Sequence, residues 1–172
     1  MTSKNLHPQP IQQPHPPPRG HLYTQAKCIV EHLHSVGYEA FLVGGCVRDL
    51  LLGIPPKDYD ITTNALPEQI EQIFSTLGYY TTDVGKNFGT IMVVKQKNPF
   101  EVTTFRAEGR YIDGRRPSQV RFHNVHVYDD VQRRDLTING LLYDPQIEMV
   151  LDFTGGIDDL RSQIIRTIGD PF

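Results

Sequence analysis

The segment from Phe41 to Thr63, FLVGGCVRDLLLGIPPKDYDITT, constrains the fold more than any other part of the chain. It begins with a short apolar run that stops at Gly44 and Gly45, as expected for a strand that enters a turn with unhindered backbone. Apolar residues then recur at helical spacing as far as Gly53. The segment therefore predicts a strand, a glycine turn and a short helix, followed by a second strand.

Two carboxylates, Asp58 and Asp60, flank Tyr59 in the predicted second strand. Because side chains alternate along a strand, we expect both carboxylates on one face, with Cα atoms roughly 6.5–7 Å apart. Carboxylates this close repel each other unless a proton, a basic partner or a divalent cation compensates their charge. The pair therefore predicts an Mg²⁺ site that a polyphosphate completes, and a solvated strand end is the alternative.

The rest of the chain predicts helices and strands around this segment. Apolar stripes at helical spacing occupy residues 24–36 and 67–77, and each stops at a glycine. Further elements follow in order: strands at 80–84, 90–94, 100–105 and 120–122, a helix at 130–142, a strand at 149–153 and a last helix. The predicted fold class is α+β, with helices covering a mixed β-sheet.

Length and composition divide the chain into two parts. The 172 residues leave room for one folded domain, which we place at residues 22–172. Residues 1–21 are rich in proline and glutamine and nearly free of aliphatic residues, so we expect a disordered tail.

The charge and hydropathy patterns limit the classes of partner. With 17 basic and 20 acidic residues the formal net charge is −3, so the chain lacks the broad positive surface that grips RNA along many phosphates. Nowhere do eighteen apolar residues run together, and the N-terminus lacks an apolar signal core. We expect a cytoplasmic protein without a membrane partner.

Four motifs in a fixed order resemble one family. The runs LVGGCVRDLLLG with KDYDITT, EVTTFRAEGRYIDGRRP, QRRDLTING and LDFTGGIDDLRSQIIRTIGDP are similar to the head of class II tRNA nucleotidyltransferases and of bacterial poly(A) polymerases. These belong to the DNA polymerase β superfamily. The resemblance implies a nucleotidyltransferase head fold and Mg²⁺-dependent transfer of nucleotides from ATP and CTP to an RNA 3′ end.

The first two motifs supply candidates for catalysis and phosphate binding. Gly44 and Gly45 let backbone N–H groups approach an anion, and Arg48 lies beside the same turn. By resemblance, Asp58 and Asp60 are catalytic, and Glu101 is a candidate third carboxylate. A surface glutamate on an edge strand is an almost equally good interpretation of Glu101. Asp49 is expected to orient Arg48 or the turn rather than to contact a metal.

The QRRDLTING motif supplies candidates for ribose recognition. Asp135 and Asn139 are four residues apart, so a helix places both on one face. The resemblance assigns this motif to the ribose of the nucleotide, with Arg134 on a phosphate. A helix cap and a surface amide are the alternative. A loop is predicted before this motif, and the side chains that line it and its approach are Arg106, Glu108, Arg110, Asp113 and Arg115.

Several hypotheses about the activity stay open. The segment VGKNFGTIMV resembles the CCA-adding branch, which favours a tRNA substrate over poly(A) addition. The family's downstream base-reading and RNA-binding helical domains do not occur in this sequence, so a second chain that supplies them is one possibility. A nucleotide-binding remnant without activity of its own is the alternative. Nucleotide transfer to a small molecule shares the carboxylate pair, but the motifs from Arg106 to Asn139 argue against it.

Overall fold

The computed structural model describes residues 7–108 and 120–169. Within them, eight strands form one sheet in the order β1-β10-β9-β2-β3-β6-β5-β4, and β7 pairs with β8 in a separate ribbon. The strands are β1 (Ile11–Pro14), β2 (Ala40–Val43), β3 (Asp60–Thr63), β4 (Tyr80–Gly85), β5 (Thr90–Lys95), β6 (Asn98–Thr104), β7 (Ala107–Glu108), β8 (Val120–Arg121), β9 (Leu142–Asp144) and β10 (Met149–Asp152).

Five helices and two 3₁₀ turns complete the described residues. They are α1 (His21–Ser35), α2 (Gly45–Leu51), α3 (Pro67–Thr76), α4 (Val127–Gln132) and α5 (Gly156–Arg161), with 3₁₀ turns at Lys86–Phe88 and Thr137–Asn139. The predicted α+β class with a mixed sheet is confirmed. None of these helices is long and apolar enough to cross a bilayer, as far as the described part of the chain extends.

The register of β3 and β6 determines where the polar face of the sheet lies. These neighbouring strands run parallel, with Ile61 opposite Val102 and Thr62 opposite Thr103. Extending that register by one residue places Asp60 beside Glu101. Because side chains alternate along both strands, Asp60 and Glu101 leave the sheet on the face opposite to Ile61 and Val102.

A hydrophobic core lies on each side of the sheet. On one side, Ile29 of α1 and Phe74 of α3 pack against strand residues such as Ile61 and Val102. On the other side, Val131 of α4 belongs to a smaller cluster that includes residues of β2 and β9. Asp60 and Glu101 therefore lie on the side of the sheet that carries α4.

The N-terminal segment departs from the predicted disorder. Ile11–Pro14 forms β1 and pairs antiparallel with the whole of β10. The Tyr143 hydroxyl also donates a hydrogen bond of 3.0 Å to the His15 carbonyl. Backbone pairing thus holds a segment whose side chains offer little apolar surface, and the disorder prediction is wrong for this stretch. Residues 1–6 lie outside the described part of the chain.

The predicted helix over residues 130–142 is also wrong. The structure divides it into the end of α4, the 3₁₀ turn Thr137–Asn139 and the start of β9. Tertiary contacts explain this division. The backbone N–H of Thr137 donates to the Arg166 carbonyl at 3.0 Å, and Leu142 pairs with Val43 of β2. These contacts outweigh the helical spacing of the leucines.

Candidate active site

The site is built around the turn between β2 and α2. Gly44 has φ 82° and ψ −136°, a backbone conformation that is essentially restricted to glycine. Its N–H donates to the Leu141 carbonyl at 3.1 Å, which fastens the turn to the chain just before β9. A methyl group added at Gly45 would lie 3.3 Å from Nη2 of Arg48. The two glycines therefore allow the tight turn and leave room for the guanidinium group.

Arg48 links this turn to the QRRDLTING motif. Its Nε and Nη2 donate to Oδ1 of Asp49 at 3.0 and 2.9 Å, so the expected orienting role of Asp49 is confirmed. Its Nη1 donates to Oδ1 of Asn139 at 3.0 Å. Although 91 residues separate them in sequence, Arg48 and Asn139 thus lie in one polar network.

Asp60 lies in an environment of like charges. Desolvation by the surrounding protein, together with the nearby carboxylates of Glu101 and Asp58, raises the pKa of Asp60 to about 6, and Arg134 opposes the shift. Burial and neighbouring carboxylates make a carboxyl group hard to ionise. Positive charge brought close to such a group stabilises its ionised form. The structure thus brings together the charges of the three predicted carboxylates.

Asp58 does not lie on the strand that was predicted to carry it. Strand β2 ends at Val43, whose partner is Asp60, because Gly44 then turns the chain away. Residues before Asp60 therefore have no partner in β2, and Asp58 lies exposed in the preceding loop. The prediction that both carboxylates leave one strand face is wrong, although the charge of Asp58 still reaches Asp60.

A buried carboxylate that the sequence analysis did not single out organises the arginines. Asp130 is completely inaccessible to solvent. It accepts hydrogen bonds from Arg133 Nε at 3.0 Å, Arg134 Nη2 at 3.3 Å, the Thr62 hydroxyl at 3.2 Å and the backbone N–H of Arg106 at 3.0 Å. The spacing of three and four residues from Asp130 to the two arginines was the available sequence signal. Arg133 was not singled out either, although its spacing from Asp130 was part of the same signal.

Two adjoining cavities open on this network. The glycine cavity has a volume of about 410 Å³ and is lined by Gly44, Gly45, Arg48, Asp60, Arg133, Arg134, Asp135 and Asn139. The aromatic cavity has a volume of about 390 Å³ and is lined by Val43, Asp60, Ile61, Phe88, Thr90, Glu101, Thr103, Arg106, Arg133 and Arg134. Asp60, Arg133 and Arg134 belong to both, so the carboxylate and the two arginines form the boundary between the cavities.

A larger cavity lies elsewhere. It has a volume of about 570 Å³ and a mainly apolar lining from residues 15–23, Leu50 and the loop before β3. It contains Tyr59 but none of the predicted site residues. Size alone therefore does not identify the candidate site, whereas the convergence of charged groups does.

The remaining predicted residues occupy various places. Asp135 and Asn139 both line the glycine cavity, but Asn139 lies in a 3₁₀ turn and Asp135 precedes that turn, so no helical face is shared. Arg106 lines the aromatic cavity and its Nη2 lies 3.7 Å from Oε1 of Glu108. Burial lowers the pKa of both Arg106 and Arg134, with the charge of Arg133 contributing. The predicted loop residues Arg110, Asp113 and Arg115 lie outside the described residues.

Comparison with known proteins identifies the family of the chain. The sequence model of the family described as "Poly A polymerase head domain" matches residues 40–166. A CCA-adding enzyme of Staphylococcus epidermidis is 45% identical over 150 residues, which cover 87% of this chain and 36% of that protein. A CCA-adding enzyme of Staphylococcus aureus (strain bovine RF122) is 47% identical over 148 residues, which cover 86% of this chain and 36% of that protein.

A solved structure shows the same fold. The crystal structure of the Bacillus stearothermophilus CCA-adding enzyme in complex with CTP superposes with a TM-score of 0.75 at 38% identity, covering 88% of this chain and 34% of that one. The chain thus spans about a third of the length of the relatives it matches. From the family match over most of its length, the chain belongs to the poly A polymerase head domain family.

Proposed function

We propose that this chain is the catalytic head of a nucleotidyltransferase that adds nucleotides to the 3′ end of RNA. The observation that carries the proposal is the pair of cavities that meet at Asp60, Arg133 and Arg134. Transfer between two substrates requires two binding sites that share one reacting centre. The relatives are named CCA-adding enzymes, which favours CCA addition to tRNA from CTP and ATP over poly(A) addition.

The donor set fits a divalent cation that is bound jointly with a nucleotide. Among the described residues, no group of three His, Cys, Asp or Glu is arranged to hold a metal by itself. Mg²⁺ prefers one or two carboxylates with water and substrate phosphates as its other ligands, and Asp60 and Asp58 are suited to this role. When bound, such a cation stabilises the charge of the triphosphate and lowers the pKa of the attacking hydroxyl group.

The glycine cavity suits the incoming nucleotide. Arg48 and Arg134, which line this cavity beside the turn of Gly44 and Gly45, provide positive groups for the triphosphate. Asn139 and Asp135 offer an amide and a carboxylate that can hydrogen-bond the ribose hydroxyl groups. In the transfer step, the 3′ oxygen of the RNA bonds to the α-phosphorus, pyrophosphate leaves and the hydroxyl proton is released.

A second chain that supplies further RNA contacts stays a prediction, as does cytoplasmic location.

Replacing Asp60 by asparagine tests the proposal. Asp60→Asn keeps the side-chain shape but removes the charge that would hold the cation. We expect nucleotide transfer to an RNA 3′ end in Mg²⁺ to fall roughly 10²-fold or more. Asp158→Asn is the matched control, because Asp158 has a side chain that is 81% exposed on α5 and lies outside both cavities. Transfer by Asp60→Asn at the rate of this control would refute the proposal.

A further inference from the structure

Phe88 is a large aromatic side chain that the fold leaves exposed beside the charged groups of the site. Its side chain is 64% exposed to solvent, and it lines the aromatic cavity together with Glu101 and Arg106. A phenylalanine contributes to stability chiefly through the burial of its ring in a core. Because most of this ring stays in water, core packing does not explain its position.

The backbone that carries Phe88 is held in place. Oδ1 of Asp83 accepts hydrogen bonds from the backbone N–H groups of Gly85 and Lys86, at 2.9 and 2.6 Å. The ammonium group of Lys86 donates to Oε2 of Glu71 on α3 at 2.9 Å. After the turn, the Gly89 carbonyl accepts from the backbone N–H of Thr104 at 2.8 Å. The ring is therefore an exposed aromatic surface on a fixed turn.

The position of Phe88 separates it from the nucleotide site of the proposed function. The aromatic cavity shares its boundary residues Asp60, Arg133 and Arg134 with the glycine cavity but contains none of Gly44, Gly45, Arg48 or Asn139. A nucleotide held at those residues leaves the aromatic cavity for the second substrate. That cavity combines an aromatic face with arginines, the combination with which proteins bind single-stranded nucleic acid by stacking bases and pairing phosphates.

We propose that Phe88 is the stacking platform for the 3′-terminal base of the acceptor RNA. The ring stacks on the base, Arg106 faces the adjoining phosphate, and the terminal ribose lies towards Asp60 and Glu101. This inference rests on the proposed function for the identity of the RNA. Stacking does not discriminate strongly among bases, so the platform accepts a terminus whose sequence changes as nucleotides are added.

Acceptor RNAs with and without a terminal base test the inference. The probes are a short single-stranded RNA that ends in two cytidines and the same RNA with an abasic 3′ residue, with binding measured by fluorescence anisotropy at low salt in Mg²⁺ without nucleotide. The unchanged protein should bind the intact RNA about tenfold more tightly, as expected for one stacked base. Phe88→Tyr should keep this preference. Phe88→Ala should bind both RNAs equally, at the affinity of the unchanged protein for the abasic RNA.

Tyr80→Ala is the matched control. Tyr80 is a similarly exposed aromatic residue, 68% accessible, in the strand before the turn and outside both cavities. Its replacement should leave the tenfold preference intact. The inference is overturned if the unchanged protein binds both RNAs equally or binds neither, if Phe88→Ala keeps the preference, or if Tyr80→Ala loses it as well.

The two proposals fail in different ways. A protein that transfers nucleotides but ignores the terminal base refutes the stacking role of Phe88 alone. A protein that prefers the intact RNA through Phe88 but transfers no nucleotide refutes the proposed function alone. Phe88→Tyr and the abasic RNA give a decision even if Phe88→Ala folds poorly.

Discussion

The ionised carboxylate of Asp60 lowers the stability of the folded chain, because the site makes its charge unfavourable. Desolvation and two neighbouring carboxylates raise its pKa from 3.8 to about 6. A carboxyl group whose pKa is higher in the folded than in the unfolded chain binds its proton more tightly when folded. Asp60 therefore favours folding below about pH 3.8, and this contribution is lost as the pH rises through 6.

Asp60→Asn should consequently be more stable than the unchanged protein at neutral pH. Asparagine has no charge to desolvate, so we expect a gain on the order of 1 kcal/mol at pH 7.5, reduced by solvent screening because Asp60 is partly exposed. The gain should shrink between pH 6 and pH 4. Thermal unfolding of both proteins across this range measures it. A stability difference that does not vary with pH would contradict the assigned pKa.

Residues with distinctive chemistry in a motif were predictable, and residues that act through burial were not. Asp60, Glu101, Arg48 and Asn139 were identified in the sequence, and all four line the two cavities. Asp130 was not, because only the structure shows that its carboxylate is fully buried beneath two arginines. Sequence spacing indicates possible contacts within an element, whereas burial depends on the whole fold.

At the scale of elements, the strand, turn and helix from β2 to α2 depend on the backbone of Gly44. Its φ of 82° and ψ of −136° are strained for any residue with a Cβ atom. Gly44→Ala should lower the free energy of unfolding by roughly 1–3 kcal/mol, although the added methyl group would meet no atom closer than 3.8 Å. Chemical denaturation measures this loss.

Gly53→Ala separates backbone strain from a general effect of replacing glycine. Gly53 also has a positive φ, 69°, and an added methyl group there meets no atom within 4 Å. Since alanine reaches the left-handed helical region at a cost of about 1 kcal/mol, Gly53→Ala should destabilise the protein less than Gly44→Ala. Equal losses at the two positions would show that the conformation of Gly44 is not the cause.

The segment after α4 has a structure that the local sequence pattern did not predict. The apolar spacing over residues 130–142 is compatible with a helix, and the sequence contains no proline there. The chain nevertheless places Leu142 in β9 between β2 and β10, where it is wholly buried. Pairing with β2, which lies far away in sequence, and with the following strand β10 is a tertiary contribution that local periodicity does not record.

At the scale of the whole molecule, β1 is the edge strand on one side of the sheet, next to β10. Its pairing with β10 covers backbone groups that would otherwise be open to another chain. Deleting residues 1–14 removes this pairing entirely. We expect a lower unfolding temperature and concentration-dependent association, measured by thermal unfolding and by light scattering.

Deleting residues 1–6 alone is the matched control. This shorter deletion leaves all of β1 paired with β10, so its unfolding temperature and association state should match those of the unchanged protein. If the longer deletion behaves like the shorter one, β1 does not protect the backbone groups of β10. Disorder was predicted from the composition of this segment, because the sequence does not reveal that β1 pairs with β10.

The parallel pairing of β3 with β6 bears on the order in which the molecule folds. Asp60 and Glu101 are about forty residues apart in sequence, and α3, β4 and β5 lie between the two strands. Closing so long a crossover loses chain entropy before the strand contacts compensate for it, which makes parallel pairings slow to form. The intervening antiparallel strands pair locally and faster. We therefore expect the like charges of the site to come together late in folding, so that their repulsion acts on the final stages rather than on the initial collapse.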